Sequence, residues 1–315
     1  KLRIENEILN ANKNTFSIIA QEWATKQNFA EATVKGQQRL FDVIFKRIGK
    51  VPIHELKPMD ILKICRIYEK EGKHETAKKV KTKCGQIFRY AVSLGLCERD
   101  VTQDLRGVLT VPETKHMAAI TNPDQFAKLL NDLDHYDGSI ITQYALRIAP
   151  LVFVRPGELR HAKWADIDLE KGRWEYTPPK TKKKTGVSHI VPLSPQVIQM
   201  LKELAEITQA NSEYVFPALT SWERPMSENT INQALRRLGY TSEEACGHGF
   251  RASARTILEE VLEYPVEWIE QQLAHKVRDM HGTAYNRTKH LDKRTEMMQA
   301  WANYCDDIKL VHAKR

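Results

Sequence analysis

Only one stretch of this 315-residue chain alternates in the manner of paired strands. Arg173-Trp-Glu-Tyr-Thr is short and aromatic-rich, Lys180 to Gly186 is a basic turn, and Ser188-His-Ile-Val-Pro-Leu alternates before ending. Together they predict a hairpin with lysines at its tip. Nearly everywhere else apolar residues recur at three and four, the spacing of a helix with one buried face. The chain is therefore expected to be mostly α with a small antiparallel β-sheet.

Residues 15 to 96 read as four helices. Thr15 to Trp23 and Thr33 to Ile48 carry the three-four repeat, and Lys57-Pro-Met-Asp opens a third helix with proline in its first turn. The fourth is the most regular. Val80, Cys84, Ile87, Ala91 and Leu94 step by four, three, four and three, which makes one stripe to bury. Lys78, Lys79, Lys81 and Lys83 crowd its first turns, where they form either a solvated face or a set of phosphate contacts. Four helices of this size make a compact bundle.

Charge separates that bundle from the rest of the chain. The sequence holds 48 Lys and Arg against 40 Asp and Glu, a net +8, and the first 108 residues hold 21 against 13 while the remainder is balanced at 27 against 27. A basic module joined to a neutral one points to polyanion affinity in the first and more local chemistry in the second. Arg106 to Ile120 lacks periodicity and contains Gly107 and Pro112. The expected organisation is a basic helical domain over 1–108, a linker over 109–120 and a second domain over 121–315.

In the second domain Asn122-Pro-Asp-Gln starts a helix with a polar cap and proline just inside. A long apolar helix comes next, around Ile140 to Val154, and after Pro156-Gly157 another carries Glu158 to Trp164. Beyond the hairpin, helices are expected at Pro195 to Ala205, Asn229 to Leu238, Arg251 to Val261, Val266 to Leu273 and Leu291 to Tyr304. Met297, Trp301, Tyr304 and Ile308 give the last of these an apolar face, suited equally to its own core or to a neighbouring copy.

Some functions are excluded early. No apolar run approaches the ~18 residues that a membrane span needs. The five cysteines, Cys65, Cys84, Cys97, Cys246 and Cys305, are scattered with neither disulfide density nor zinc-ligand spacing, which reads as reduced structural thiols. His248, His275 and His281 lack carboxylates or cysteines at zinc spacing, so no metal and no cofactor are expected. The chain starts at Lys1 rather than methionine and has no signal-peptide pattern, consistent with a fragment of a longer cytoplasmic protein.

The residue types that carry chemistry occur in a fixed order: Val-Arg155-Pro-Gly-Glu-Leu-Arg, a lysine-tipped hairpin followed by His-Ile-Val-Pro-Leu-Ser, His248-Gly-Phe-Arg251, Leu-Ala-His275 and then Tyr285. This order over residues 140 to 290 resembles the tyrosine recombinases, the P4-type prophage and genomic-island integrases above all. The helical N-terminal segment is similar to the family's core-binding domain in general character. The resemblance implies a four-helix core-binding domain and a mixed α/β catalytic domain that clamp duplex DNA between them. It also implies an arm-site-binding domain ahead of the core-binding one, whose absence here fits a truncated chain.

Each residue type suits that chemistry. In-line attack on a phosphodiester builds charge on the non-bridging oxygens, and planar guanidiniums such as Arg155 and Arg251 donate paired hydrogen bonds to it. Arg155 closes the apolar run Leu-Val-Phe-Val, so it should reach an anion or a carboxylate, Glu158 being the nearest. Tyr285 would be the nucleophile of a covalent phosphotyrosine that conserves the bond for religation. His248, three residues before Arg251, resembles the position that assists proton transfer from the tyrosine, and His275 the one that donates to a phosphate oxygen. Taken singly, each histidine also fits a core role.

Expulsion of the 5′ hydroxyl needs a general acid. By the family's spacing from His189 that is Lys184, with Lys182 the alternative register, and Lys182 and Lys183 otherwise join Lys78, Lys79, Lys81 and Lys83 as DNA contacts. The resemblance implies a site-specific recombinase that integrates or excises a bacterial mobile element, associated with the nucleoid. Its partners would be duplex attachment sites, three further copies of the chain in a tetramer, and DNA-bending and directionality factors. Two other readings share the pattern: a type IB topoisomerase-like enzyme that relaxes DNA as a monomer, and an integrase-derived DNA-binding protein without catalysis.

Overall fold

The computed structural model describes residues 14–29, 31–112, 117–178, 188–275 and 290–314. It divides into two compact units, Lys1–Lys115 and His116–Arg315, each with its own apolar core.

The first unit contains four helices: α1 (Phe16–Thr25), α2 (Glu31–Ile48), α3 (Pro58–Lys70) and α4 (His74–Ser93). In α1 the residues Phe16, Ile19, Ala20 and Trp23 fall on one face and are buried. Proline in the first turn starts α3, and Asp60 there accepts from the backbone N–H of Lys57 at 3.0 Å. The expected stripe of α4 is buried at Val80, Cys84, Ile87 and Ala91, with Phe88 beside it. Leu94 is a correction, being 43% exposed. The helix stops one residue earlier because Gly95 turns left-handed (φ +69°) and the backbone N–H of Leu96 closes on the Ala91 carbonyl at 3.0 Å.

The lysines of α4 divide by position. Lys78 and Lys79 are exposed. Lys81 is half-buried and donates to the Leu105 carbonyl at 2.8 Å, while Lys83 lies over the Trp23 ring, 4.5 Å from its centroid. Lys78, Lys79 and Lys83 all line a groove that also includes Phe29, Gly36 and Leu40.

The second unit opens with α5 (Pro123–Asp134), capped by Asn122, whose side chain accepts from the Gln125 N–H at 3.1 Å. The apolar helix α6 spans Ile140–Val152 and ends short of the expected Val154, because Phe153 takes the left-handed conformation (φ 35°, ψ 36°). The helix expected over Glu158 to Trp164 is only the five-residue α7 (Pro156–Arg160), and Trp164–Asp166 forms a separate 3-10 turn.

A three-stranded antiparallel sheet comes next, β1 (Ile167–Asp168), β2 (Arg173–Tyr176) and β3 (His189–Pro192), in that spatial order. Trp174 pairs with Val191, Glu175 with Ile190 and Tyr176 with His189. The hairpin is therefore present with an added edge strand, and its tip lies outside the described residues. A second hairpin, β4 (Pro217–Ala218) with β5 (Ser221–Pro225), was not expected, since its strands are very short and carry proline at their ends.

The remaining helices are α8 (Pro195–Thr208), α9 (Thr230–Arg237), α10 (Gly249–Glu260), α11 (Val266–Gln272) and α12 (Leu291–Ala313). The last closes its own unit's core. Trp301 is fully buried, donates from its indole N–H to the Pro150 carbonyl at 3.0 Å, and packs against Phe126 and Phe153. Met297 is buried with it, whereas Tyr304 and Ile308 are only half-buried. Among the described residues no helix is long and apolar enough to cross a membrane, and no cluster of His, Cys, Asp or Glu could hold a metal ion.

Candidate active site

The site forms around the end of α11. There the chain leaves the helix through Ala274, which is left-handed (φ 50°), and the backbone N–H of His275 returns to the Glu270 carbonyl at 3.0 Å. This six-to-one closure is a Schellman cap, and it aims His275 away from the helix. The carbonyls of a helix C-terminus lack intrahelical partners and carry partial negative charge, so cationic donors are favoured there.

Three donors use them in succession. The Gln272 carbonyl accepts from His189 Nε2 at 3.1 Å, the Leu273 carbonyl from Arg251 Nη2 at 2.7 Å and the Ala274 carbonyl from Arg155 Nη2 at 3.2 Å. The same Arg251 nitrogen lies 3.1 Å from His275 Nε2. Three residues that sequence order sets far apart, Arg155, Arg251 and His275, are thus brought together on one four-residue strip.

Arg251 sits in the first turns of α10 and is only 5% exposed. Its Nη1 donates to the Phe153 carbonyl at 2.9 Å. Burial, with Arg155 nearby, lowers its pKa to about 10, so it stays charged at neutral pH. Arg155 is the N-cap of α7 and is half-buried. Glu158 accepts from its Nη1 at 2.9 Å and from its backbone N–H at 3.0 Å. The salt bridge expected as one role for Arg155 is therefore present, and it coexists with the placement of Arg155 beside Arg251. The Tyr176 hydroxyl donates to the same carboxylate at 2.9 Å, and burial beside Glu158 raises that phenol well above its ordinary value.

Two guanidiniums around one buried carboxylate leave an excess positive charge. An anion that took the remaining donors would neutralise it, and a phosphodiester has the geometry for paired N–H contacts. The imidazoles lie further out: His275 and His248 are both exposed, His248 at the N-terminus of α10 one turn before Arg251. Glu270 holds His275 from behind, its Oε2 lying 2.5 Å from Nδ1, and Arg255 donates to the other oxygen of Glu270 at 2.8 Å. Gly249, between His248 and Arg251, packs so closely that an added Cβ would lie 2.2 Å from the Ala118 carbonyl oxygen.

Several residues that complete the site were not singled out from sequence: Glu270, Tyr176, His189, Gln272 and Arg294. His189 served there only to set the hairpin register. Its signal and those of Gln272 and Arg294 are polar groups in registers otherwise given to apolar residues. Tyr285, Lys182, Lys183 and Lys184 lie outside the described residues, as do His281, Arg278, Arg287 and Lys289.

The chain thus joins a helical unit to a mainly helical unit with a small antiparallel sheet, and sets two arginines and a histidine at one helix end. The chain belongs to the phage integrase family, which it matches over residues 120–291, with the phage integrase central domain matched over 16–108. It is 36% identical over 312 residues to the integrase of Enterobacteria phage P4, covering 94% of this chain and 70% of that protein. The prophage integrase IntS of Escherichia coli (strain K12) is 33% identical over 300 residues, covering 94% and 77%. The fold is that of a lambda integrase dimer solved on a COC' core site, with a TM-score of 0.66 at 17% identity over 88% of this chain and 79% of that one. A lambda integrase tetramer on a Holliday junction gives 0.67 at 16% identity, covering 89% and 83%. The protein is a site-specific tyrosine recombinase.

Proposed function

We propose that this recombinase cleaves and rejoins duplex DNA through a 3′-phosphotyrosine on Tyr285, and so integrates or excises a mobile element. The reading rests on one observation: Arg155, Arg251 and His275 share the strip at the end of α11, where Glu158 bonds Arg155 and Glu270 bonds His275. These converging donors, Arg251 buried, Arg155 half-buried and His275 exposed, are suited to the pentacoordinate phosphorus of an in-line displacement, whose equatorial oxygens gain charge.

In the first step the Tyr285 oxygen bonds to phosphorus and the bond from phosphorus to the 5′ oxygen breaks. The phenol proton passes to His248, and Lys184 protonates the departing 5′ oxygen. Attack by a 5′ hydroxyl from a second strand reverses the step and releases the tyrosine. Lys78 and Lys79 on the exposed face of α4, with Lys81, Lys83, Lys182 and Lys183, contribute phosphate contacts. Four copies would act together on two paired attachment sites, in line with the dimer and tetramer states in which the lambda integrases of the same fold were solved. DNA-bending and directionality factors join that assembly, and the element's host is bacterial.

A nicked suicide duplex carrying the element's own attachment core tests the reading. The full chain should form a covalent adduct that disappears in Tyr285→Phe while DNA binding persists. Binding with no adduct would remove the catalytic reading, and relaxation of supercoils without joining of two sites would replace it with a topoisomerase.

A further inference from the structure

Arg294, in the first turn of α12, is fully buried, and among the described residues no carboxylate pairs with it. Burial lowers its pKa to about 10, so at neutral pH it remains an enclosed cation. Its Nε and Nη2 both donate to the side-chain oxygen of Gln272, at 3.0 and 2.6 Å, and Nη2 also bonds to the Ile190 carbonyl. A guanidinium only donates, so it is Arg294 that turns the Gln272 oxygen inward. The amide nitrogen of Gln272 is left buried without a partner, and so is Arg294 Nη1.

An unpaired buried charge is unfavourable. Cohesion alone would be served at less cost by an apolar stripe in which neither Arg294 nor Gln272 stood. What Arg294 supplies is direction: it ties α12 to β3 at Ile190 and to α11 at Gln272. Gln272 opens the strip whose next three residues hold Arg251, Arg155 and the His275 imidazole.

We propose that Arg294 is a positioning residue for strand cleavage, which fixes the strip 272–275 and through it the two arginines and His275. The proposal rests on the recombinase reading above. It concerns geometry rather than binding, so its effect should fall on the rate of covalent chemistry.

The full chain is compared with Arg294→Met, Gln272→Met and Gln272→Glu in three measurements: thermal midpoint, affinity for the attachment-core duplex, and single-turnover adduct formation on its nicked form. Arg294→Met, which leaves the Gln272 side-chain oxygen and the Ile190 carbonyl without a donor, should melt below the wild-type midpoint and bind duplex as wild type does, yet at a temperature well below both midpoints form adduct about 10- to 100-fold more slowly, the usual effect of losing an orienting contact. Gln272→Glu, which keeps an oxygen for the guanidinium, should slow adduct formation less than Gln272→Met. A folded Arg294→Met that forms adduct at the wild-type rate overturns the proposal, as does a loss that merely tracks a lowered midpoint. If Arg294→Met does not fold, equal rates in the two Gln272 variants overturn it. No adduct from the wild-type chain would remove the recombinase reading and this proposal with it, whereas a wild-type adduct with an unaffected Arg294→Met removes the proposal alone.

Discussion

Arg251 reaches from α10 to the carbonyl of Phe153, 98 residues earlier in the chain, with a 2.9 Å hydrogen bond that secures the turn from which Arg155 projects. Its other terminal nitrogen serves the Leu273 carbonyl and His275 at once. A lysine has one nitrogen and cannot reproduce this fork. Arg251→Lys should reduce adduct formation by about 100- to 1000-fold, the usual effect of removing a preorganised donor, while gel-shift affinity for the same duplex changes little.

Glu158 is buried and accepts three hydrogen bonds, two from Arg155 and one from Tyr176. Glu158→Gln keeps the shape but removes the charge set against two guanidiniums. Urea unfolding should show a loss of about 3 to 5 kcal/mol, the range for breaking a buried pair from one side. Tyr176→Phe, which removes one donor to that carboxylate, should lose about 1.5 to 3 kcal/mol.

His189 donates to a carbonyl, which fixes Nε2 as the protonated nitrogen. Burial first, and then Arg294 and the arginines of the site, lower its pKa from 6.5 to about 3. An unfolded chain therefore takes up this proton at a higher pH than the folded one. The stability contributed by a neutral His189 is whole above pH 6.5 and is lost as the pH falls towards 3, at up to about 1.4 kcal/mol per pH unit. Unfolding midpoints measured from pH 7 to 4 should fall less steeply in His189→Gln than in wild type, and parallel slopes would refute the assignment.

Gly249 stands where the backbone of Ala118 and Ala119 crosses α10. A methyl group 2.2 Å from the Ala118 oxygen cannot be accommodated by a side-chain rotation, so helix or crossing segment must move. Gly249→Ala should lower stability by about 1 to 3 kcal/mol and weaken adduct formation by displacing Arg251 and His248 together. Both are read on one preparation, by melting and by the suicide duplex.

Ala274 presents the opposite case. It occupies the left-handed position of the Schellman cap with a side chain, a conformation that disfavours L residues by about 1 to 2 kcal/mol. Glycine would remove that strain but would lose more conformational freedom on folding. Ala274→Gly should therefore raise stability by a smaller amount, about 0.5 to 1 kcal/mol, with the cap and its hydrogen bonds retained. Differential calorimetry would register this as a small upward shift, and a downward one would refute it.

How far sequence reaches is visible in particular residues. The helices of the first unit are legible because each has one apolar stripe, and the hairpin because Trp174 stands between polar neighbours while Ile190, Val191 and Pro192 form a short buried run. Leu94 misleads since periodicity does not say where a glycine will turn the chain. Arg155, Arg251 and His275 are legible as reactive types in order, but nothing local says that the two arginines meet at the carbonyls of 273 and 274 with His275 beside them. Arg294 is the instructive omission. It falls between Leu291 and Met297 at helical spacing, inside the buried stripe, and a charge in that register is itself a signal.

The strip at the end of α11 also sets rules for protein engineering. Residues drawn from a turn, a strand and two helices take their bearings from the same four positions, so the groups of the candidate site share one reference frame rather than a chain of separate ones. Grafts that exchange the basic bundle between related integrases leave that frame whole, whereas a graft of the hairpin must keep Tyr176, His189 and Ile190. A chimera with its junction inside 272–275 would divide it, and even two active parents would yield an inactive offspring.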